Sequence, residues 1–431
     1  MKNIRKVALV SLVSAVIGLA FPFVNYAVDQ TYQQLKVIVD VMELIKENYV
    51  DEIDSQKLIY GAAGGMVREL DDFSQFMEPD TYARVKSDTE GAFGGIGIKV
   101  EQSDGWLTVV TPLPNTPAYR AEMYPGDKIV KIEGEVTKDM LIEDAVKKLR
   151  GAPGTKVNIT ISREPEDKNA DWITRDITLV RELIKSENIK SRVLEGRIGY
   201  IKTIEFTGRV VEDFTKALAE LKKKGAESLI IDLRYDPGGL LTASVDISRL
   251  FIGGNKMIVY TKGRKKENYQ EFRASARAPY AEMPLIILVN RFSASASEIV
   301  AGAMQDNKRA VIIGERTYGK ASVQSMIPLS DKSALRLTIA RYYTPSGRSI
   351  HRDEKKNTGG IIPDIELKVS PETERKLIQQ SEEFFYPGKE SKENKELPGK
   401  KKDPPARDEM LERAVELLKA REVLGNLKVG K

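Results

Sequence analysis

The apolar run Leu285 to Val289 constrains the fold of this chain more than any other stretch. It is short, rich in branched residues and bounded by Pro284 and Asn290, features typical of a buried strand. Small and hydroxyl residues at 293–297 suit a helix N-terminus, and apolar residues then recur at helical spacing. The apolar run 310–313 follows as a second predicted strand. A strand, a helix and a strand in succession indicate an α/β fold.

The same alternation occurs upstream of this unit. Gly199 to Ile204 and Ser228 to Leu233 are predicted strands, and Val211 to Lys223 between them is a predicted amphipathic helix. Residues 335–342 alternate in polarity and add a later strand. We therefore expect an α/β core over residues 183–368.

The turn between strand 285–289 and its helix favours nucleophilic catalysis. Ser293, Ser295 and Ser297 lie at the predicted helix N-terminus, where free N–H groups and the helix dipole stabilise a developing oxyanion. The local sequence does not distinguish between the three serines. A serine nucleophile needs a base, and the single histidine, His351, lies in a polar stretch after a turn.

Lysine is the other candidate base. Lys320 follows the second strand and is flanked by Gly319 and small residues, which would let a substrate approach closely. A partly desolvated lysine has a lowered pKa, so its neutral amine can take the serine proton and return it to the leaving amine. Spacing alone does not identify it, because most of the 68 lysine and arginine residues are expected to be surface charges.

Three stretches of the chain resemble the carboxyl-terminal processing proteases, a family of serine peptidases. They are Ser-Ala-Ser-Ala-Ser-Glu-Ile-Val-Ala-Gly-Ala at 293–303, the segment 314–324 with Tyr-Gly-Lys at 318–320, and Asp-Leu-Arg-Tyr-Asp-Pro-Gly-Gly at 232–239. The resemblance extends over residues 35–368. It implies a serine endopeptidase that cleaves protein substrates near their C-termini.

The resemblance also assigns roles to residues. It implies that Ser295 is the nucleophile, that Lys320 is the general base and that Gln324 positions the lysine. It further implies an oxyanion hole formed by the backbone amides of Ala296 and Gly238, the latter in a Pro-Gly-Gly turn without obstructing side chains. Contact between Lys320 and Gln324 requires a bend, because four residues of extended strand span about 13 Å.

A second module is predicted over residues 91–182. A glycine loop with a strand at 94–100, a tight turn at 124–127 and an amphipathic helix at 139–150 occur in this order, and together they resemble a PDZ domain. Such a domain adds an extended peptide as a strand and holds its terminal carboxylate on loop N–H groups. The predicted peptide-binding residues are Gly94, Gly95, Ile96, Gly97, Ile98, Ile142 and Val146.

Some residues depart from the family pattern. Asp236 stands where members commonly have asparagine, and Ala321 replaces a frequent glycine. A negative charge beside the oxyanion loop would oppose the oxyanion unless Arg234 or solvent compensates, so we predict reduced rather than absent activity. These departures support an alternative function, a PDZ peptide-binding scaffold with weak or no catalysis.

The two ends of the chain carry further predictions. Residues 1–27 contain a basic head and an apolar run at 7–24, the layout of a signal peptide or an uncleaved signal anchor. Either predicts export to the periplasm or its equivalent, and the anchor would tether the protein to the inner membrane. Residues 28–90 form a predicted helical region, residues 369–407 a charged flexible linker and residues 408–424 a final helix.

Composition excludes several functional classes. With no cysteine and one histidine, the chain cannot be a thiol protease and lacks the usual zinc ligands, so we expect no metal and no cofactor. Net charge is +5 and there is no basic stripe, so nucleic acid is not an expected partner. Expected partners are unfolded or C-terminally exposed proteins, with a second copy of the chain or an adaptor lipoprotein as further candidates. The predicted fold is mixed α/β and β, with a PDZ domain before an α/β protease core.

Overall fold

The structure, a computed structural model, describes residues 33–113, 115–165, 171–353, 355–385 and 406–427. The chain divides into two units, the first with residues 1–79 and 326–337 and the second with residues 80–325 and 338–431. The predicted signal segment lies outside the described residues. Of the helices that are described, none has the length and apolar character needed to cross a membrane.

The first unit is built mainly from two helices and a short strand. Helix α1 covers residues 33–48, α2 is Ser55–Arg68, and β1 is Gln75–Met77. Strand β1 pairs antiparallel with residues 334–336, and the Tyr60 hydroxyl donates to Asp331. The predicted helical region 28–90 is therefore interrupted by a strand. Its pairing partner lies far downstream, so local periodicity gives no sign of it.

The PDZ module of the second unit follows α3 (Pro79–Glu90). Its strands form one sheet in the order β3-β4-β5-β7-β8, with β6 on β5, while β2 pairs with β9. Helix α5 packs against β3 and β5, and β3 lies at one edge of the sheet. The elements are β2 (Ala92–Gly95), β3 (Ile98–Ser103), β4 (Trp106–Pro112), α4 (Pro117–Arg120), β5 (Lys128–Ile132), β6 (Glu135–Val136), α5 (Ile142–Leu149), β7 (Lys156–Arg163), β8 (Ile173–Val180) and β9 (Glu182–Lys185).

The protease core is built on a six-stranded sheet. Its order is β10-β11-β12-β15-β16-β19, parallel except for the antiparallel β10. The helices and strands of this part of the chain are β10 (Ile189–Leu194), β11 (Ile198–Thr203), α6 (Val210–Lys223), β12 (Ser228–Asp232), α7 (Leu241–Arg249), β13 (Met257–Gly263), β14 (Gln270–Arg273), β15 (Leu285–Val289), α8 (Ala296–Asp306), β16 (Val311–Gly314), β17 (Ser322–Pro328), β18 (Ala334–Tyr343) and β19 (Ile365–Glu366). Strands β13, β14, β17 and β18 belong to a different sheet.

Alternating side chains of the central strands fill two apolar cores. Ile231 and Ile287 face the core that helices α6, α7 and α8 cover, whereas Ile230 and Ile286 face the opposite one. The second core is closed by the C-terminal helix α10 (Glu409–Leu427), through Met410, Ala414 and Leu418. The final predicted helix thus packs on the protease core.

A buried ion pair attaches α10 to the loop after β12. The Arg234 guanidinium donates to both oxygens of Asp232 and to both oxygens of Asp408, the residue before α10. Tyr200 also donates to Asp232, and these charges hold the pKa of Asp232 well below its ordinary range despite burial. The loop that leads to Gly238 is therefore anchored at its base.

Residues 371–385 correct part of the linker prediction. They form helix α9 (Pro371–Phe385), whereas residues 386–405 lie outside the described residues. Glu374 is buried and accepts from the Tyr235 hydroxyl at 2.7 Å, and the Phe384 ring packs edge-on against Tyr200 at 5.6 Å between centroids. Individual long-range contacts of this kind hold the helix in place, and polarity of the local sequence does not reveal them.

Candidate active site

Parallel strands β12, β15 and β16 end at one edge of the sheet, and the residues of the site follow them. Ser295 follows β15 and is the N-cap of α8, with a φ of 53°. A serine in this left-handed region is strained, a condition that clusters at functional sites.

The structure distinguishes the three serines of the run. Ser293 and Ser297 are fully buried, and their hydroxyls donate to the carbonyls of Leu233 at 2.8 Å and Asp236 at 3.2 Å. Ser295 is partly exposed. The first two therefore hold loops in place, and Ser295 is the serine that a substrate can reach.

A buried carboxylate joins the turn that carries Ser295 to the loop that carries Lys320, the predicted base. Glu298 Oε2 accepts the Ser295 N–H at 2.9 Å and the Lys320 N–H at 2.8 Å. Its Oε1 accepts the Gly319 N–H at 2.7 Å and the Thr317 hydroxyl at 2.5 Å. Burial raises the pKa of Glu298 to about 7, although these hydrogen bonds favour the charged form. The backbones at 295 and 320 are thus fixed side by side.

Tyr342 of β18 makes a second connection between the same residues. Its buried hydroxyl lies 3.0 Å from the Ser295 carbonyl oxygen and also contacts the Lys320 carbonyl oxygen. Burial raises the pKa of Tyr342 well above its ordinary value, so the phenol stays a donor. Neither Glu298 nor Tyr342 was among the predicted site residues. The spacing Ser-x-x-Glu at 295–298 is a capping-box signal that could have identified Glu298.

The backbone of Lys320, the predicted base, is held by Glu298 and Tyr342, and its predicted partner Gln324 follows in β17. Lys320 is half-buried between Gly319, whose φ is +90°, and β17, in which Gln324 is also half-buried. A Cβ at Gly319 would lie 2.8 Å from the Arg352 Cβ, so glycine is required there. The roles of Lys320 and Gln324 remain predictions.

The glycine of the predicted oxyanion hole lies against Ser295, the predicted nucleophile. A Cβ at Gly238 would lie 2.7 Å from the Ser295 Cβ and 2.8 Å from the Ala296 nitrogen, and its φ is +98°. The structure therefore brings Gly238, Ser295 and Ala296 together. The Gly238 N–H, however, donates to Asp236 Oδ1 at 2.8 Å.

Asp236 connects the turn that carries Gly238 to the turn that carries Ser295. Its side chain is fully buried, and its main-chain carbonyl accepts from the Ala294 N–H at 3.1 Å and the Ser297 hydroxyl at 3.2 Å. Burial raises the pKa of Asp236 to about 6. The guanidinium of Arg234 is engaged by Asp232 and Asp408, so the expected compensation by Arg234 is not a direct ion pair.

The single histidine lies in the loop between β18 and β19. Burial, followed by the charge of Arg341, lowers the pKa of His351. Among the described residues, no hydrogen bond joins its imidazole to Ser295. Nor does any group of three or more His, Cys, Asp or Glu side chains in the described ranges have the arrangement of a metal site.

The predicted peptide-binding residues of the PDZ module occupy three places. Gly94 and Gly95 pair with β9, and the carbonyls of Ile96 and Gly97 accept from the Ala118 and Leu113 amides. Ile98 begins the edge strand β3. The side chains at 142 and 146, Ile142 and Val146, are half-buried one turn apart on α5. An edge strand beside a helix is the arrangement to which a PDZ domain adds a peptide.

Comparison with known proteins agrees with this organisation. The model described as "Peptidase family S41" matches residues 197–367, "PDZ domain" matches residues 108–163, and "Activating protease CtpB N-terminal domain" matches residues 23–81. A carboxy-terminal-processing protease of Bartonella bacilliformis is 40% identical over 368 residues, covering 84% of this chain and 82% of that protein.

Two further similarities extend the comparison. The carboxy-terminal processing protease CtpA of Bacillus subtilis is 33% identical over 328 residues, covering 76% of this chain and 67% of that protein. The solved photosystem II D1 C-terminal processing protease aligns at 28% identity with a TM-score of 0.44, covering 77% of this chain and 92% of its own.

The fold and the family matches define a serine peptidase that carries a PDZ domain. The chain belongs to the carboxy-terminal processing proteases of peptidase family S41. The predicted fold class, with N-terminal helices, a PDZ domain and an α/β protease core, is confirmed.

Proposed function

We propose that this peptidase is exported and cleaves protein substrates near their C-termini by a Ser295–Lys320 dyad. The observation that carries the proposal is the double connection between the two residues, through the Glu298 carboxylate and the Tyr342 hydroxyl. A nucleophile and its base must be held in register, and two buried cross-links favour that geometry.

In the proposed mechanism Ser295 Oγ attacks the scissile carbonyl while Lys320 Nζ takes its proton. The lysine then gives the proton to the leaving amine, and Gln324 orients it. The tetrahedral oxyanion is stabilised by the backbone amides of Ala296 and Gly238, at the positive end of α8. Water then attacks the acyl-enzyme by the same proton route.

The PDZ module is proposed to select substrates by their free C-terminus. Support comes from the free edge of β3, which can accept a peptide strand, and from α5 beside it. A peptide with an amidated C-terminus should therefore be cleaved with a higher KM than the same peptide with a free carboxylate. Equal KM values for the two peptides would contradict this role.

Export is proposed from the basic head and the apolar run over residues 7–24. A reporter that is active only outside the cytoplasm, fused after residue 32, should be active, and replacing two apolar residues of the run by arginine should abolish its activity. A homodimer, a membrane tether and an adaptor lipoprotein are proposed only as further partners.

The proposed dyad is tested by incubating an unfolded protein with the wild type, Ser295→Ala and Lys320→Ala. We expect both substitutions to reduce cleavage at least about 1,000-fold, because each removes one member of a unit. Lys223→Ala, at an exposed position of α6, is the matched control and should cleave normally. Cleavage by Lys320→Ala at the wild-type rate would overturn the dyad.

The Gly238–Asp236 hydrogen bond supports a second candidate, a peptide-binding scaffold with weak catalysis. In that case the wild type would bind peptides with free carboxylates without cleaving them. The same incubation distinguishes the two candidates.

A further inference from the structure

The Asp236 carboxyl occupies an unusual position beneath the turn that carries Gly238. Its side chain is fully buried, and Oδ1 accepts the Gly238 N–H at 2.8 Å. The other oxygen, Oδ2, is buried and has no hydrogen-bond partner among the described residues. A buried carboxylate oxygen without a donor is costly, so this arrangement is held by its surroundings.

Two hydroxyls nearby do not satisfy Oδ2. Those of Thr203 and Ser297 lie close enough to lower the Asp236 pKa in part. They donate instead to main-chain carbonyls, Thr203 to Asp232 at 3.4 Å and Ser297 to Asp236 itself at 3.2 Å. The Gly238 amide is therefore the one hydrogen-bond donor that the carboxyl holds within the described residues.

This bond competes with the reaction. An oxyanion hole needs its donors aimed at the oxygen on which charge develops. A hydrogen bond from an amide to a carboxylate is charge-assisted and about twice as strong as one to a neutral oxygen. Gly238 can stabilise an oxyanion only after Asp236 has released its amide.

We propose that Asp236 is a positioning residue that withholds the Gly238 amide from the oxyanion hole and releases it when the carboxyl is protonated or displaced. The inference rests on the proposed role of Gly238 in the oxyanion hole. It makes the availability of that donor, rather than substrate affinity, the quantity that Asp236 controls.

The charges around Asp236 decide when it is ionised. Glu205, on the loop after β11, raises its pKa, and Lys202 of β11 is the cation that acts on it. From α8 the group that faces it is the Ser297 hydroxyl, because Glu298 is directed to Thr317 and Lys320. With burial as the largest cause, the pKa of Asp236 is about 6. The carboxyl is therefore charged at pH 8 and mostly neutral at pH 5.

The first test compares Asp236→Asn with the wild type on one peptide between pH 5.5 and pH 8. The ratio of kcat, variant to wild type, cancels any pH dependence that the two proteins share. Roughly 1% of a carboxyl with pKa near 6 is neutral at pH 8, so we expect a ratio near one at pH 5.5 and at least about tenfold at pH 8. KM should change little.

A ratio that does not vary with pH, or a variant slower than the wild type at pH 8, would overturn the proposal. Glu205→Gln provides a matched control at an exposed residue. It removes the like charge that faces Asp236. The kcat ratio of Asp236→Asn to its parent, measured with Glu205→Gln in both proteins, should therefore rise at a lower pH. An unchanged midpoint would count against the proposal.

A second measurement does not depend on catalysis. In full-length Ser295→Ala protein labelled with ¹³C-carbonyl proline and ¹⁵N-glycine, the Gly238 amide gives one of five Pro–Gly signals. Its proton shift should titrate with a midpoint near pH 6 and should not titrate in Ser295→Ala with Asp236→Asn. An identical, pH-independent signal in both proteins would overturn the proposal. If the signal titrates but no variant cleaves any substrate, the Ser-Lys function fails while the Asp236–Gly238 bond stands.

Discussion

Glu298 and Asp236 are two buried carboxyl groups next to the turn that carries Ser295, and the structure satisfies them differently. Glu298 accepts four hydrogen bonds, one from the Ser295 N–H and three from residues 317–320. Asp236 accepts one at its side chain and leaves Oδ2 without a donor among the described residues. Burial raises the pKa of both groups, to about 7 and about 6. The comparison teaches that a fully bonded carboxylate fixes a site, whereas a partly bonded one can change its partner.

The largest expected effect is that of removing the Glu298 carboxylate. Glu298→Ala leaves four donors without their acceptor, so we expect a loss of about 3 kcal/mol or more in the free energy of unfolding. We also expect kcat to fall at least about 100-fold, since the backbones at 295 and 320 lose their common partner. Urea unfolding and peptide cleavage measure the two effects.

Two variants control that experiment. Glu220→Ala, at an exposed position of α6, should change neither quantity. Glu298→Gln preserves the shape and one acceptor oxygen and should lose less of both. If Glu298→Ala retained wild-type stability and activity, the view of this carboxylate as the fixed member of the pair would be wrong.

The pH dependence of stability reports the ionisation of these two carboxyl groups. Both carboxyls have folded-state pKa values above their unfolded values, so between about pH 4 and pH 7 the folded state binds more protons. Stability is therefore highest on the acid side of this window and is lost as pH rises through the folded-state pKa values. We expect Asp236→Asn to remove on the order of 1 kcal/mol of the difference between pH 5 and pH 8.

Urea unfolding of the wild type and Asp236→Asn at several pH values measures that difference. If the stability of the wild type and of Asp236→Asn changed by the same amount between pH 5 and pH 8, Asp236 would not be the titrating group. Glu205→Gln, which removes the like charge near Asp236, should shift the transition towards lower pH.

The smallest expected effect concerns the second connection between the site loops. Tyr342→Phe removes a hydroxyl that contacts the carbonyls of Ser295 and Lys320, and it should cost about 1 kcal/mol of stability. We expect kcat to fall several-fold while KM stays constant, because Glu298 still joins the loops. Tyr343→Phe, at the neighbouring position, is the control and should leave kcat unchanged. An effect on KM alone would show that the hydroxyl contacts substrate rather than positioning the dyad.

Features with a local signal could be predicted from the sequence. The predicted strand 285–289 matches β15, and the predicted helix 211–223 differs from α6 by one residue, because apolar periodicity determines both. Family resemblance chose Ser295 among three serines, and the burial of Ser293 and Ser297 supplies a structural reason for that choice.

Features that depend on distant residues could not be predicted in the same way. Strand β1 pairs with residues 334–336, and α9 is held by contacts of Glu374 and Phe384 with remote parts of the core. Glu298 carried a capping signal, but its bonds to Gly319 and Lys320 depend on how the later loop folds back. The engagement of the Gly238 amide by Asp236 likewise depends on burial, which residue identity does not reveal.

The anchoring of α10 has a consequence for biosynthesis. Arg234, near the start of the oxyanion loop, shares its charge between Asp232 and Asp408, and Met410, Ala414 and Leu418 cover one face of the central sheet. A nascent chain that has not yet emerged beyond residue 408 leaves that face open to solvent and Arg234 with a single carboxylate. The protease core is therefore closed on this side only after residue 418 has been synthesised, well after the segment that carries Arg234.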